Sequence, residues 1–120
     1  MYMQRERDLC EKAAEMFAKE IGIRKPKINY CRRNEYLGFS WPYDNTIRIS
    51  LYMKNRMADS ELITTVQHEL LHIKNRRHSK KDRHGPEFQG LCKRYGVDGT
   101  ADAPMVLPWW LEWTYLIAEA

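Results

Sequence analysis

A segment near the middle of the chain combines a helical apolar pattern with two histidines one turn apart. Asp59 or Ser60 can cap a helix that runs to about residue 76. Its apolar residues recur at spacings of three and four: Leu62, Ile63, Val66, Leu70 and Ile73. At about 100° per residue, His68 and His72 share a face that lies outside this apolar stripe. A pair of imidazoles presented away from the core stripe is suited to line a cleft and bind one metal ion.

The same segment places a carboxylate next to the two imidazoles. His68-Glu69-Leu70-Leu71-His72 has the H-E-x-x-H pattern, in which the glutamate is not a ligand. We predict that Glu69 acts as general base and takes a proton from a water molecule at the metal. A catalytic zinc ion generally takes three protein ligands and one water, so the pattern requires a third ligand elsewhere.

Two histidines are candidates for the third ligand, since all four histidines of the chain fall between positions 68 and 84. His78 gives the spacing H-E-x-x-H-x-x-N-x-x-H, which is the metzincin pattern with Asn75 in place of glycine. Asn tolerates the left-handed backbone conformation that a sharp turn there requires. His84 instead precedes Gly85 and Pro86, where a following helix can present it to the first two histidines. Spacing alone leaves both open.

The two histidine motifs taken together resemble a known family. H-E-L-L-H at residues 68–72, followed after eleven residues by H-G-P-E-F at residues 84–88, resembles the SprT-like metallopeptidases, the family that includes Spartan. The resemblance extends over about residues 5–96. It implies a small zincin-type domain with one Zn²⁺ per chain, bound by His68, His72 and His84, and Glu69 as general base. The Spartan-type zinc-binding set that follows the catalytic domain has no counterpart after residue 96, so a DNA-repair role does not follow.

The order of predicted elements indicates an α+β fold. Alternating apolar residues predict three short strands in an antiparallel or mixed sheet, and Pro42-Tyr43-Asp44-Asn45 predicts a hairpin turn between the second and third. Gly and Pro residues mark the ends of the helices. We predict one domain over 1–120, with a core at about 5–96 and an extension at 97–120. The predicted elements are a helix at 5–21, strands at 27–32, 36–41 and 46–51, helices at 59–76 and 86–96, and a last helix at 109–117.

The positive charge of the chain is concentrated in one segment. Residues 74–83 carry six basic side chains and one acid, a sum of +5, whereas the whole chain carries +4 and the remainder therefore −1. The basic residues are Lys74, Arg76, Arg77, Lys80, Lys81 and Arg83. Because they lie between the second and third ligands, they could contact DNA phosphates at the mouth of the site. The other interpretation is a solvated loop.

Two functions compete with a zinc endopeptidase that acts on protein substrates. One is a nucleic-acid-binding module with a structural zinc ion, which Glu69 argues against because a structural site needs no general base. The other is a zincin domain that serves only as an interaction module, and the sequence leaves this open. Three tryptophans, Trp109, Trp110 and Trp113, either close the core or form a patch for a partner.

The remaining features concern the compartment. The first residues are charged and lack the apolar stretch of a signal peptide, so we expect a cytoplasmic protein. Cys10, Cys31 and Cys92 are odd in number and widely spaced, which predicts reduced thiols rather than a disulfide framework.

Overall fold

The computed structural model describes residues 3–32, 37–51, 58–75, 84–97 and 99. Within those ranges one helix is followed by three strands and then by two further helices, which confirms the predicted α+β class. The elements are α1 (Gln4–Ile21), β1 (Lys27–Cys31), β2 (Gly38–Trp41), β3 (Thr46–Ser50), α2 (Asp59–Asn75) and α3 (Pro86–Tyr95). The helix predicted at 109–117 lies outside the described residues.

Helix α1 forms one wall of the core. Its buried residues recur at helical spacing on a single face: Cys10, Ala14, Phe17, Ala18 and Ile21. The helix ends at Gly22, whose φ of 77° is in the left-handed region and whose amide donates to the carbonyl of Ala18. Burial of one such phenylalanine or isoleucine stabilises the fold by about 1.5–3 kcal/mol.

The sheet is mixed, with strand order β1-β3-β2. Strands β2 and β3 pair antiparallel through a turn at residues 42–45, as predicted for this hairpin. Asn45 adopts a left-handed conformation with φ 48° and closes the turn, which is a backbone state that Asn tolerates. Strand β1 pairs with β3 in parallel, with Ile28 opposite Ile47 and Tyr30 opposite Ile49. Strand β3 is therefore central, and β2 pairs with it on the side opposite β1.

Helices α1 and α2 lie side by side and run in the same direction. At their first turns Arg5 pairs with Asp59. At their last turns the ammonium group of Lys74 donates to the carbonyl oxygen of Ile21 over 2.7 Å. Since both starts meet and both ends meet, the two helices are parallel, and Lys74 satisfies one of the carbonyls that a helix end leaves without a partner.

Helix α2 is the centre of the structure and contacts α1, β2 and α3. Helix α3 begins at Pro86, whose fixed φ suits the first helical position, and ends at Gly96 with φ 68°. Residues from the three helices and from β1 and β3 form one hydrophobic cluster that includes Phe17, Ile49, Leu70 and Phe88.

The structure also shows the state of the three cysteines. All three cysteines are free thiols, as predicted, and burial raises the pKa of the Cys10 thiol to about 12. Cys10 therefore packs as a small apolar side chain rather than reacting as a thiolate.

Among the described residues, no helix combines the length and the apolar character that crossing a membrane requires.

Candidate metal centre

Three histidines meet where α2 faces the start of α3. Helix α2 carries His68 and His72 on successive turns, and their Nε2 atoms lie 3.2 Å apart. His84 immediately precedes Gly85, the N-cap of α3, and its ring centroid lies 4.8 Å from that of His72 and 5.5 Å from that of His68. One ring nitrogen from each histidine can be chosen so that all three lie within 4.8 Å of one another.

These nitrogens fit a tetrahedral metal ion. With metal–nitrogen bonds of about 2.0–2.1 Å, two imidazole nitrogens on a tetrahedral zinc ion lie about 3.4 Å apart. The distance of 3.2 Å between His68 and His72 is close to that value. The upper limit of 4.8 Å on every pair exceeds it by about 1.4 Å. A donor set made only of imidazoles favours Zn, Cu, Fe or Ni over Ca and Mg.

The three histidines and Glu69 are more buried than the sequence prediction of a cleft-lining helix face implies. Only 6% of His68, 1% of His72 and 6% of Glu69 is exposed to solvent, and His84 is half-buried. The predicted apolar stripe explains why one side of α2 is buried. The side that carries the histidines is buried as well, because the first turn of α3 and strand β2 cover it. Enclosure lowers the local dielectric constant, so a cation and a carboxylate placed here interact more strongly than they would in water.

The position of His84 depends on the residues that follow it. Gly85 has an extended backbone, and its carbonyl accepts the first helical hydrogen bond from the amide of Gln89. The side-chain amide of Gln89 donates to the carbonyl oxygens of His84, over 3.2 Å, and Gly99, over 2.9 Å. The backbone that presents the third imidazole is thus held by α3 itself.

Glu69 lies against strand β2. A Cβ atom built at Gly38, the first residue of β2, would lie 3.0 Å from the backbone oxygen of Arg48 and 3.3 Å from Cγ of Glu69. It would also lie 3.3 Å from Cδ1 of Ile49. The absence of a side chain at Gly38 is therefore what lets the Glu69 side chain pack this closely against the sheet.

Comparison with known proteins agrees with this geometry. The model of the SprT-like family matches residues 7–104. The chain belongs to the SprT-like family. The predicted family resemblance is therefore confirmed, and SprT-like membership supports a metallopeptidase-type function and, with the three-histidine cluster, a metal ion.

A solved structure supports the SprT-like domain's fold. The chain is similar to the crystal structure of the metallopeptidase zymogen of Pyrococcus abyssi abylysin, with a TM-score of 0.50 and 16% sequence identity. The match covers 74% of this chain and 97% of that one, so the similarity concerns the architecture as a whole. No curated protein matches the sequence.

Several predicted site residues of the SprT-like domain fall outside the described residues. His78, the other candidate for the third ligand, is one of them, as are five of the six basic residues and the three tryptophans. The sixth basic residue, Lys74, bonds to the carbonyl of Ile21 and so has a structural role at the end of α1. The prediction that Lys74 contacts DNA is not tested by this bond, which uses one of the three N–H donors of its ammonium group.

The sequence interpretation missed three residues that shape this SprT-like site. Phe88 was noted as part of the H-G-P-E-F motif, yet its ring contacts all three histidine rings. Gln89 and Gly38 were not singled out. The H-G-P-E-F motif contains both His84 and Phe88, and this closeness in the sequence is the signal that could have indicated their contact. A glycine that opens a strand is a weaker signal for close backbone approach.

Proposed function

We propose that this chain is a zinc-dependent endopeptidase that cleaves protein substrates. The observation that carries the proposal is the convergence of three imidazole nitrogens within 4.8 Å, beside the buried carboxylate that follows His68 in the chain. In this proposal His68, His72 and His84 hold one zinc ion, and Glu69 is the general base. Three protein ligands leave the fourth position for water, which distinguishes a catalytic zinc site from a closed structural one.

The roles of the chain's own residues follow from their positions. A bound zinc ion would lower the pKa of a water molecule to about 7 and polarise the carbonyl of the scissile bond. Glu69 lies next to the ligands on α2 without being one, so its carboxylate can accept the proton of the attacking water and then pass it to the leaving amine. Its burial keeps bulk water from competing for that proton.

The direct test uses the zinc-loaded full chain and an unfolded protein as substrate. Cleavage is followed on gels and by mass spectrometry, with and without single-stranded DNA, and with Glu69→Gln protein as the control for contaminating proteases. Cleavage by the wild type that the Glu69→Gln protein lacks supports the proposal. Equal cleavage by both, or by neither, contradicts it.

Substitution of Gly38 tests the placement of the base. Gly38→Ala introduces a methyl group 3.3 Å from Cγ of Glu69, and the backbone oxygen of Arg48 at 3.0 Å leaves the alanine no room on its other side. The Glu69 side chain must then shift. A contact of 3.3 Å requires a shift of a few tenths of an ångström. Because misplacement of a catalytic group by about 1 Å can cost about 100-fold in rate, we expect this smaller shift to lower kcat by about 3- to 10-fold while the bound zinc is retained.

A second glycine provides the matched control for this experiment. Gly90 lies within α3, and a Cβ atom there would meet nothing within 4 Å. Gly90→Ala should leave kcat unchanged and stabilise the helix by about 0.5–1 kcal/mol. If Gly38→Ala protein cleaves as fast as Gly90→Ala protein, close packing against β2 does not position Glu69.

We further propose that the substrates include proteins bound to DNA. The support is the basic run that lies between the second and third ligands in the sequence and carries five cationic side chains besides Lys74. Such a run attracts the phosphate backbone and concentrates proteins bound to it near the metal.

Salt dependence tests this attraction. If the run contacts phosphates, affinity for DNA should fall steeply as salt rises, because each neutralised phosphate releases a counterion. The combined substitution of Arg76, Arg77, Lys80 and Lys81 by Ser should flatten the slope of log K against log salt by up to about four units. Zinc content should not change. Fluorescence anisotropy of labelled single-stranded DNA over a salt series measures the slope.

The control variant removes the same charge elsewhere. Exposed residues Lys12, Lys19, Arg24 and Lys93 can be replaced by Ser together. This variant should keep most of the wild-type slope, because none of the four lies in the basic run. A wild-type affinity that does not depend on salt, or an equal effect of the two quadruple variants, contradicts a phosphate-binding role for the run.

A further inference from the structure

One phenyl ring touches every imidazole of the candidate metal centre. The ring of Phe88 stacks on that of His72, with centroids 3.9 Å apart and planes within 6° of parallel. It meets the rings of His68 and His84 edge-on, at 5.0 Å and 5.3 Å with interplanar angles of 72° and 90°. Phe88 is fully buried. The two edge-on contacts have the T-shaped geometry that aromatic pairs prefer, and the third is a close parallel stack.

The stack restricts how the His72 ring can turn. Rotation of an imidazole about its Cβ–Cγ bond sweeps the ring edges through the space on both faces. One of those faces is covered by a phenyl ring that is itself held in the core cluster. The edge contacts constrain the other two imidazoles in the same way, though less strongly. Phe88 therefore fixes ring orientation, a role that hydrogen bonds from outer groups commonly fill at metal sites.

Phe88 lies close in the sequence to His84, the candidate third ligand. Phe88 is the third residue of α3, and His84 lies four residues before it. The same turn of chain thus supplies the candidate ligand and the ring that orients the two histidines of α2. Docking of α3 on α2 through Phe88 brings all three imidazoles together in one packing event.

We propose that Phe88 is a positioning residue that orders the three imidazoles before the metal ion binds. This inference rests on the proposed function, because it takes the three histidines as the ligands. Ligand rings that are already ordered lose less conformational entropy on binding, so the packing of Phe88 raises affinity for the ion. Phe88 is not a catalytic residue, since it has no group that can exchange a proton or contact the ion.

The test compares two phenylalanines that are both buried. Phe88→Leu removes the ring that contacts the histidines. Phe17→Leu removes a ring that is 3% exposed and packs edge-on against Tyr95, with centroids 5.9 Å apart. Zinc affinity is measured by competition with a chromogenic chelator, and the fold of each apo protein by circular dichroism and thermal melting. We expect Phe88→Leu to weaken zinc binding by about 10- to 100-fold, as loss of other orienting groups does.

The control and a second measurement decide the outcome. Phe17→Leu should lower the melting temperature but keep zinc affinity within about twofold, because its ring packs against Tyr95, at the opposite end of α3 from His84. Equal zinc affinity in folded Phe88→Leu protein and wild type would overturn the inference and leave the peptidase proposal intact. A wild type that binds no zinc would overturn both.

If Phe88→Leu protein does not fold, NMR of the wild-type apo protein decides instead. Ring protons of His72 that are shifted upfield by the stacked phenyl ring, and a single ordered ring conformation without metal, support the inference. Averaged shifts typical of a freely rotating imidazole overturn it.

Discussion

Glu69→Gln protein is expected to bind zinc like the wild type and to lose kcat/KM by about 10²- to 10⁴-fold, the usual contribution of a positioned general base. The amide has almost the volume of the carboxylate, so the packing of Cγ against Gly38 is preserved. It cannot accept the proton of the attacking water. Elemental analysis for zinc and steady-state cleavage of a fluorogenic peptide measure the two quantities on the same sample.

The control for this substitution is the same chemical change at a neighbouring acid. Glu87 is exposed in the first turn of α3, where an acid is favoured by the helix dipole. Glu87→Gln should reduce stability by a few tenths of a kcal/mol, about what the dipole interaction contributes, and leave kcat/KM unchanged. Full activity in the Glu69→Gln protein would remove the proposed mechanism, whereas loss of its zinc would indicate a structural role for the carboxylate.

The same pair of measurements separates the peptidase from a nucleic-acid-binding module with a structural zinc ion. A structural site closes its coordination with four protein ligands and has no use for a neighbouring base. In that case Glu69→Gln would change neither zinc content nor DNA binding, and no wild-type cleavage would be found. Retained zinc together with lost cleavage is the result that only the peptidase predicts.

Local signals account for the parts of the fold that were predicted well. Helix α1 ends within a residue of the predicted position because Gly22 provides the left-handed cap, and Pro86 and Gly96 define α3 in the same way. Alternating apolar residues and the turn at 42–45 were enough to predict the β2–β3 hairpin. Each of these features is determined by residues that are close together in the sequence.

Features that join distant residues were either left open, as for the choice between an antiparallel and a mixed sheet, or missed. The parallel pairing of β1 with β3 leaves no mark on the alternation within either strand, which would look the same in an antiparallel pair. The bond from Lys74 to Ile21 spans 53 residues, and from the sequence Lys74 appeared only as part of a basic run. Burial of α2 beyond its apolar stripe was likewise missed, because the covering groups come from α3 and β2.

The candidate site also combines features that local sequence predicts with features that depend on the packing of distant elements. The pair His68 and His72, with Glu69 beside them, follows from helical spacing alone. The choice of His84 came from the family resemblance, since spacing left His78 open. The stack of Phe88 on His72 and the contact between Gly38 and Glu69 require the packing of separate elements, and periodicity cannot reveal which ring faces which.

The identity of the third ligand can be tested by two substitutions that each remove one imidazole. His84→Ala protein should lose most of the roughly one zinc ion per chain that three ligands and a water imply, because two histidines alone hold zinc weakly. His78→Ala protein should keep its zinc and its activity. Both variants are purified in parallel without added metal and analysed by elemental analysis and by zinc titration against a chelator.

Each variant replaces one histidine by alanine, so any general effect of losing a histidine is the same in both and does not affect the comparison between them. His84 has its ring 4.8 Å from that of His72, and Gln89 holds its backbone, which is why we expect the loss there. The opposite result, with zinc lost from His78→Ala and kept by His84→Ala, would make the metzincin-like spacing correct. In that case Phe88 and Gln89 would orient a histidine that binds no metal, and the prediction for Phe88→Leu would fail with it. Loss of zinc from both variants would mean that four imidazoles share the ion, which would close its coordination and favour a structural site.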